Sequence, residues 1–391
     1  MNVLGRDRAS ASPSIPIAKP FLDTAEADAA HKAVLSGWLS QGQQVAAFER
    51  EFAALTGAGY ACAVSNCTTA LHLALLAAGV GRGDEVVTPS HSFIATANSI
   101  RYCGARPVFV DIDPATYNLD PKCVAEACNE RTKAILVVHQ MGMPCDLVPL
   151  LAVANHYHIP LIEDAACAIG SEIKIDGEWE LVGRPRGSTA CFSFHPRKVI
   201  TTGEGGMVTT SDPEIDRKLR LWRQHGMNVP DTVRHSAPTV IFEDYVSVGF
   251  NYRLTDIQAA IGRKQLERLP AIIGRRRAIA HRYGELLAGL EGLTLPFEPE
   301  WARSNWQSYC VRLPDRLDQR TVMQNLLDQG IATRRGIMCS HREAPYRGDE
   351  QRHSLRQSEL AQDHSILLPI YAQMTEDDQA RVAGALMAEL R

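Results

Sequence analysis

Ten cysteines are present, yet no two are spaced as Cys-x-x-Cys. That excludes the usual zinc knuckle and the thioredoxin-type dithiol. A basic surplus is also missing: Lys+Arg is 41 against Asp+Glu 45, a net charge of −4. A general nucleic-acid binder would lean the other way. No long apolar run occurs, since the longest, around 70–80, contains His72 and is too short to cross a bilayer. No apolar stretch follows Arg6 and Arg8, so the N-terminus does not read as a secretory signal. The sequence has no G-x-x-x-x-G-K-[ST] and no G-x-G-x-x-G opening a helix. Nucleotide hydrolysis and Rossmann dinucleotide binding lose support accordingly. Internal repeats and low-complexity tracts are absent too.

What is there suits a soluble globular protein. The 391 residues are 45% hydrophobic and 22% charged, enough for two or three domains and a core that needs no disulfide or metal. Most cysteines sit in apolar runs, such as Ala190-Cys191-Phe192. They read as buried free thiols of a reducing, cytoplasmic compartment. A polar leader over 1–18 precedes two helical patterns within 26–55. Regular alternation follows. Strands are expected at 85–89, 107–111, 134–139, 160–164, 190–195 and 206–210. Helices are expected at 70–78, 93–103, 121–129, 147–156 and 214–224. Near-continuous apolar strands alternating with helices imply a mostly parallel sheet covered on both faces. The texture changes after about residue 225. A long helix is expected over 255–290, bent near Pro270. Strands at 306–312 and 330–334 and helices at 319–328 and 376–390 would form a smaller α+β unit. The polar stretch 342–357 reads as a mobile loop.

Three places could carry chemistry. Asp164 ends an apolar strand, where α/β sheets gather ligands; alone it could equally cap a helix. Ser65-Asn66-Cys67-Thr68-Thr69 precedes a helix, so its backbone N–H groups could cup a phosphate or be plainly capped. In the run from Phe192 to Gly206, a strand ends, Lys198 appears, and Gly203, Gly205 and Gly206 allow a tight turn. Together these parts suit pyridoxal phosphate, which needs a Schiff-base lysine, an acid facing its ring nitrogen and an anion cup. Phe93 could supply an apolar face for the ring.

With these residues in view, the chain resembles the DegT/DnrJ/EryC1/StrS sugar aminotransferases. The matching runs are 65–75, 83–110, 132–139, 162–170, 191–209 and 249–262. Thr68-Thr69-Ala70-Leu71-His72 and the run from Ile200 to Gly206 are similar to perosamine-type 4-aminotransferases. The resemblance implies the α/β fold of PLP-dependent transferases of fold type I. Residues 19–254 would form a large PLP-binding domain, and 255–391 the long helix and small C-terminal domain. It further implies that Lys198 carries the cofactor and moves the proton, and that Asp164 holds the ring nitrogen protonated. Thr68, Thr69 and Ser193 would grip the phosphate, and Phe93 would stack on the ring. Asn251 would reach the cofactor of a neighbouring subunit, so a homodimer with shared active sites is expected. Cys167 stands where the family usually has Gln, beside the ring. His195 adjoins the lysine and is expected to touch substrate or cofactor. Arg334, Arg335 and His341 are candidate substrate contacts, although a solvated loop explains them equally well.

The expected reaction uses pyridoxal 5'-phosphate and its pyridoxamine form. An amino group would pass, in this reading from glutamate, to a keto group, expected at C4, of a nucleotide-activated deoxysugar. No metal, nucleic acid or membrane partner is expected. Amination of a cyclitol ketone, or synthesis of an aminobenzoate, are alternatives within the family. A non-catalytic PLP-binding sensor is another, although such regulators carry a DNA-binding helix pair ahead of the fold, and only the leader 1–18 stands there.

Overall fold

The structure, a computed structural model, describes residues 14–390. Arg6, Arg8 and most of the leader lie outside the described residues. Helix starts follow local rules. Asp23 accepts from the Ala25 N–H at 2.8 Å while Glu26 returns a bond to the Asp23 N–H at 2.9 Å, opening the helix Thr24–Leu35. The same reciprocal pair, Thr255 with Gln258, opens the helix Asp256–Leu286. Pro121 and Pro213 each occupy a first helical turn behind a capping aspartate.

The strands, in chain order, are β1 (Tyr60–Val64), β2 (Glu85–Pro89), β3 (Arg106–Val110), β4 (Thr132–Val138), β5 (Leu161–Asp164), β6 (Glu172–Ile175), β7 (Glu178–Leu181), β8 (Thr189–Ser193), β9 (Gly206–Thr210), β10 (Ala302–Arg303), β11 (Tyr309–Arg312), β12 (Arg334–Arg335) and β13 (Ser365–Leu368). The central sheet has seven strands in the order β1-β9-β8-β5-β4-β2-β3. Parallel pairing runs from β8 through β5, β4 and β2 to β3, and β9 is antiparallel to both its neighbours. The mostly parallel α/β sheet expected from the sequence is therefore present.

Strand alternation splits its two faces. On β8, Ala190 and Phe192 join a layer with Phe48, Phe52 and Phe194, where Phe52 meets Phe192 edge-on at 4.9 Å. Cys191 points the other way, into a layer with Leu71, Leu75, Ile100 and Leu136. Seven of the ten cysteines are buried, and all ten are free thiols. A separate core forms around Tyr283, Tyr309, Leu326, Ile366 and Leu386, where β11, β13 and β12 make a three-stranded antiparallel sheet. Among the described residues no helix is long and apolar enough to cross a membrane.

Several elements differ from expectation. β1 went unforeseen because its Ala-Cys-Ala centre carries no β-branched signal, yet it pairs along its whole length with β9. The β6–β7 hairpin also went unforeseen. Its turn is Asp176-Gly177 with φ of 52° and 87°, a pairing that favours tight hairpins. β13 was missed as well. The long helix passes through Pro270 without interruption and ends at Leu286. Stretch 342–357 was expected to be a mobile loop. Instead Tyr346 is 2% exposed against Phe109, Arg352 pairs with the buried Glu85, and Arg101 pairs with Asp349.

One buried cluster ties the first helices to β1. Glu49, 5% exposed, accepts from the Ala63 N–H at 2.9 Å and from Arg220 at 2.7 Å, and it also pairs with buried Arg223. Burial pushes the Glu49 carboxyl up, but Arg223 and Arg220 outweigh it and hold the group below its usual 4.5. Its contribution is thus present above the unfolded pKa and lost as pH falls through the lower folded value. Glu49→Gln should cost about 3–5 kcal/mol at pH 7, as expected for breaking a buried ion pair. Urea unfolding of both proteins should show the gap closing as pH drops below 4.5.

Candidate active site

The C-terminal ends of β2, β4, β5 and β8 point to one crevice, the usual ligand position of such a sheet. Asp164 closes β5 there and is 5% exposed. Thr96, in the first turn of the helix Ile94–Tyr102, donates to one Asp164 oxygen at 2.9 Å, and the Ala166 N–H donates to the other at 3.1 Å. Ser92 and Thr96 share a 2.8 Å bond. Below, His139 Nε2 meets Glu163 at 3.0 Å, and the His139 backbone N–H donates to the Asp164 carbonyl. Burial pushes the Asp164 carboxyl up, against the pull of Thr96, Ala166, Lys198 and His139.

Lys198 lies on the loop between β8 and β9. The loop is held shut by Phe194 N–H to Gly205 O at 2.9 Å, Thr202 N–H to Phe194 O at 3.0 Å and Lys198 N–H to His195 O at 2.8 Å. Gly203, with φ of 83°, takes the left-handed conformation that the turn requires. The Lys198 Nζ donates to Cys167 Sγ at 3.0 Å. Desolvation lowers the proton affinity of this amine, but Cys167, Cys67 and Asp164 together raise it further.

The candidate phosphate cup starts at the helix Cys67–Ala77. Asn66 caps it by accepting from the Thr69 N–H at 2.9 Å, while the Thr69 hydroxyl returns to the Asn66 backbone. Thr69 is therefore committed to the cap, which was the plain alternative for this run. The N–H groups of Cys67 and Thr68 are the orphans of the helix start, and the Thr68 hydroxyl has no partner among the described residues. Gly206 lies flat against this start. A Cβ there would sit 2.5 Å from the Asn66 carbonyl. Phe93, at the N-cap of its helix, is 62% exposed.

The other expected residues fall unevenly. Ser193 Oγ accepts from the His195 N–H at 3.4 Å, and His195 Nδ1 accepts from the Arg197 N–H at 3.2 Å. Burial lowers the His195 pKa, so the ring is neutral at pH 7. Asn251 is exposed, with its backbone bridged to Gln224. His341 is built into the wall: Nδ1 meets Ser90 Oγ at 2.6 Å and Nε2 meets Glu359 at 3.1 Å. Arg335 pairs with Glu343 at 3.4 Å. Arg334 has no acidic partner among the described residues. Partial burial lowers its pKa, and so do the charges of Arg197 and Arg335.

Three contributors were not singled out in the sequence. Thr96 braces Asp164. Arg197, next to Lys198, helps lower the proton affinity of Arg334 by its charge. Asn305 donates to the carbonyls of Cys167 and Ile169, both at 2.8 Å, from a segment far away in the chain. Only a first-turn position marked Thr96, and nothing local marked Asn305.

Comparison with known proteins fits this geometry. The model of the DegT/DnrJ/EryC1/StrS aminotransferase family matches residues 20–387. The chain belongs to this family. It is 40% identical over 378 residues to the GDP-perosamine synthase of Caulobacter vibrioides, covering 96% of this chain and 98% of that protein. The solved aminotransferase TlmJ from Streptoalloteichus hindustanus is 36% identical with a TM-score of 0.88, over 96% of this chain and 98% of TlmJ. DesI, solved in the presence of its TDP-sugar product, is 32% identical with a TM-score of 0.86, over 97% of this chain and 93% of DesI. The protein is thus a pyridoxal-phosphate-dependent aminotransferase of fold type I.

The residues present fit that cofactor. A buried carboxylate, an amine near it, open N–H groups at a helix start and an exposed phenyl ring converge where a planar anionic ligand would lie. Asp164→Asn should test the ring-nitrogen contact. A neutral amide cannot balance a protonated ring nitrogen, whereas the phosphate cup is untouched. Turnover should fall by about a thousandfold or more, several kcal/mol, while gel-filtered protein keeps most of its cofactor. A variant retaining more than about a tenth of the wild-type rate, a loss under 1.4 kcal/mol, would place another group on the nitrogen.

Proposed function

We propose that this enzyme moves an amino group from glutamate to the C4 keto carbon of a nucleotide-activated deoxysugar. Two observations support the sugar nucleotide. Relatives similar over nearly the whole chain are a GDP-perosamine synthase and an enzyme solved with a TDP-sugar product. Next to Lys198 in the chain, Arg197 has no acidic partner among the described residues, and its charge bears on Arg334, which has none either; these two unbalanced cations carry the reading. Cations left without a partner favour an anionic ligand, and a diphosphate is such an anion.

When bound, pyridoxal phosphate supplies a carbon to hold the amino group and an electron sink for the bond being broken. The chain's own residues do the rest. The orphan N–H groups of Cys67 and Thr68 and the Thr68 hydroxyl would bind the phosphate, with Ser193 at the end of β8. Asp164 would hold a proton on the ring nitrogen, and Phe93 would cover the ring face. Lys198 Nζ, once free, takes the proton from the donor carbon and returns one to the acceptor side. His195, neutral and next in the loop, would offer its Nε2–H to substrate.

The site reads as shared between two copies. The Asn251 side chain is exposed and has no hydrogen-bond partner among the described residues. Just before it, Val240, Phe242 and Val248 are 84%, 88% and 89% exposed. Apolar side chains so exposed in one stretch mark an interaction surface, and a homodimer would cover them.

The pyridoxamine-loaded protein, offered 4-keto and 3-keto nucleotide sugars in turn, should regain its pyridoxal absorption fastest with a 4-keto compound. Equal failure of all nucleotide sugars would sink the substrate assignment. Lys198→Ala should remain folded by circular dichroism, because Lys198 lies in a loop, yet lose steady-state turnover. Near-wild-type turnover would remove Lys198 from the mechanism.

A further inference from the structure

Cys167 stands where the resemblance leads one to expect glutamine, and the fold gives it a specific neighbour. β5 and β8 are adjacent and parallel, so the turn after β5 and the loop after β8 emerge side by side. The first carries Cys167 and the second Lys198, and Nζ donates to Sγ at 3.0 Å. Asn305 grips the carbonyls of Cys167 and Ile169, which keeps the turn from swinging the thiol away. Cys167 is half-buried at the crevice, not sealed in the core.

Peroxides are attacked by the thiolate form of cysteine. The first product is a sulfenic acid, and such an acid condenses with a neighbouring thiol or nitrogen. The nearby thiol is Cys67. It is buried, and desolvation followed by the Asp164 charge pushes it well up, so it stays protonated and a poor partner. The nitrogen in hydrogen-bond contact is Lys198 Nζ.

We propose that a hydroperoxide couples Cys167 to Lys198 through a sulfur–nitrogen bond, masking the lysine whenever its amine is not covalently holding the cofactor. In the first step the thiolate attacks the peroxide, the O–O bond breaks, and Cys–SOH and hydroxide form. That hydroxide takes the proton of the lysine ammonium. In the second step the amine lone pair attacks sulfur, the S–O bond breaks, and water leaves. The sum is Cys–SH + Lys–NH2 + H2O2 → Cys–S–NH–Lys + 2 H2O, with sulfur oxidised and peroxide reduced by two electrons. A thiol reductant restores both side chains. Glutamine at this position could not take part. The gating rests on the reading of Lys198 as the cofactor lysine. The enzyme would then be sensitive to peroxide without cofactor or in its pyridoxamine form, and protected in its pyridoxal form.

The test treats cofactor-free and pyridoxal-phosphate-loaded protein with hydrogen peroxide and reads intact mass and peptide maps. The cofactor-free protein should lose two hydrogen atoms in mass, yield one peptide joining Cys167 to Lys198, resist tryptic cleavage after residue 198, and revert with dithiothreitol. The loaded protein should show only a trace of this product. Cys167→Ser should not form it, and Cys67→Ala should form it normally. A Cys67–Cys167 disulfide, or Cys167 oxidised without a link in cofactor-free wild-type protein, would overturn the proposal. Equal linking with and without cofactor would leave the bond but remove the gating, and with it Lys198 as the cofactor lysine.

Discussion

The site depends on keeping one carboxylate charged where little water reaches it. Asp164 is nearly sealed at the end of β5 and receives two donors among the described residues, Thr96 Oγ1 and the Ala166 N–H. Burying an anion so sparsely bonded is costly, and the upward push on its pKa is the sign of that cost. A cation in the crevice relieves it. Lys198 contributes in the protein alone, and a protonated ring nitrogen would contribute in the loaded enzyme. The sheet order serves this end, because β4 delivers His139, β2 the Thr96 helix, and β8 the lysine loop around a single strand end.

Much of this was legible locally. Strands such as β4, with Ala-Ile-Leu-Val-Val at its centre, are buried on both faces and announce themselves by composition. The lysine loop was legible because Gly203, Gly205 and Gly206 punctuate it. What failed to show depends on partners far away in sequence. β1 is made a strand by β9, more than 140 residues later. His341 looked like a ligand for substrate because the polar run hid its contacts with Ser90 and Glu359. Thr69 looked like a phosphate donor, and its cap role emerges only when Asn66 is seen at the helix start. The Asp176-Gly177 turn is the opposite case, since its signal is local, an Asp-Gly pair with φ of 52° and 87°.

The loop at 342–357 shows why polarity is a weak guide to mobility. Its charges are not all solvated. Arg352 reaches the nearly buried Glu85, and Tyr346 fills a place against Phe109 and bonds Asn98 at 2.6 Å. The contacts tie the C-terminal part of the chain to β2, β3 and the Ile94–Tyr102 helix, which also carries Thr96. Residues around the Asp164 brace are thus held from two directions.

Arg197 and Cys167 flank Lys198, and each bears on it by a different kind of force. Arg197 acts at range: its charge lowers the proton affinity of Arg334 and helps lower that of His195. An anion there would be drawn to the lysine's own loop. Cys167 acts by contact, as the acceptor for the amine when nothing else occupies it. A glutamine at this position would offer an amide instead, which can accept from the lysine but cannot be oxidised in its place. A thiol in place of an amide therefore leaves the hydrogen bond possible and adds a reactive atom, within contact of the Lys198 amine.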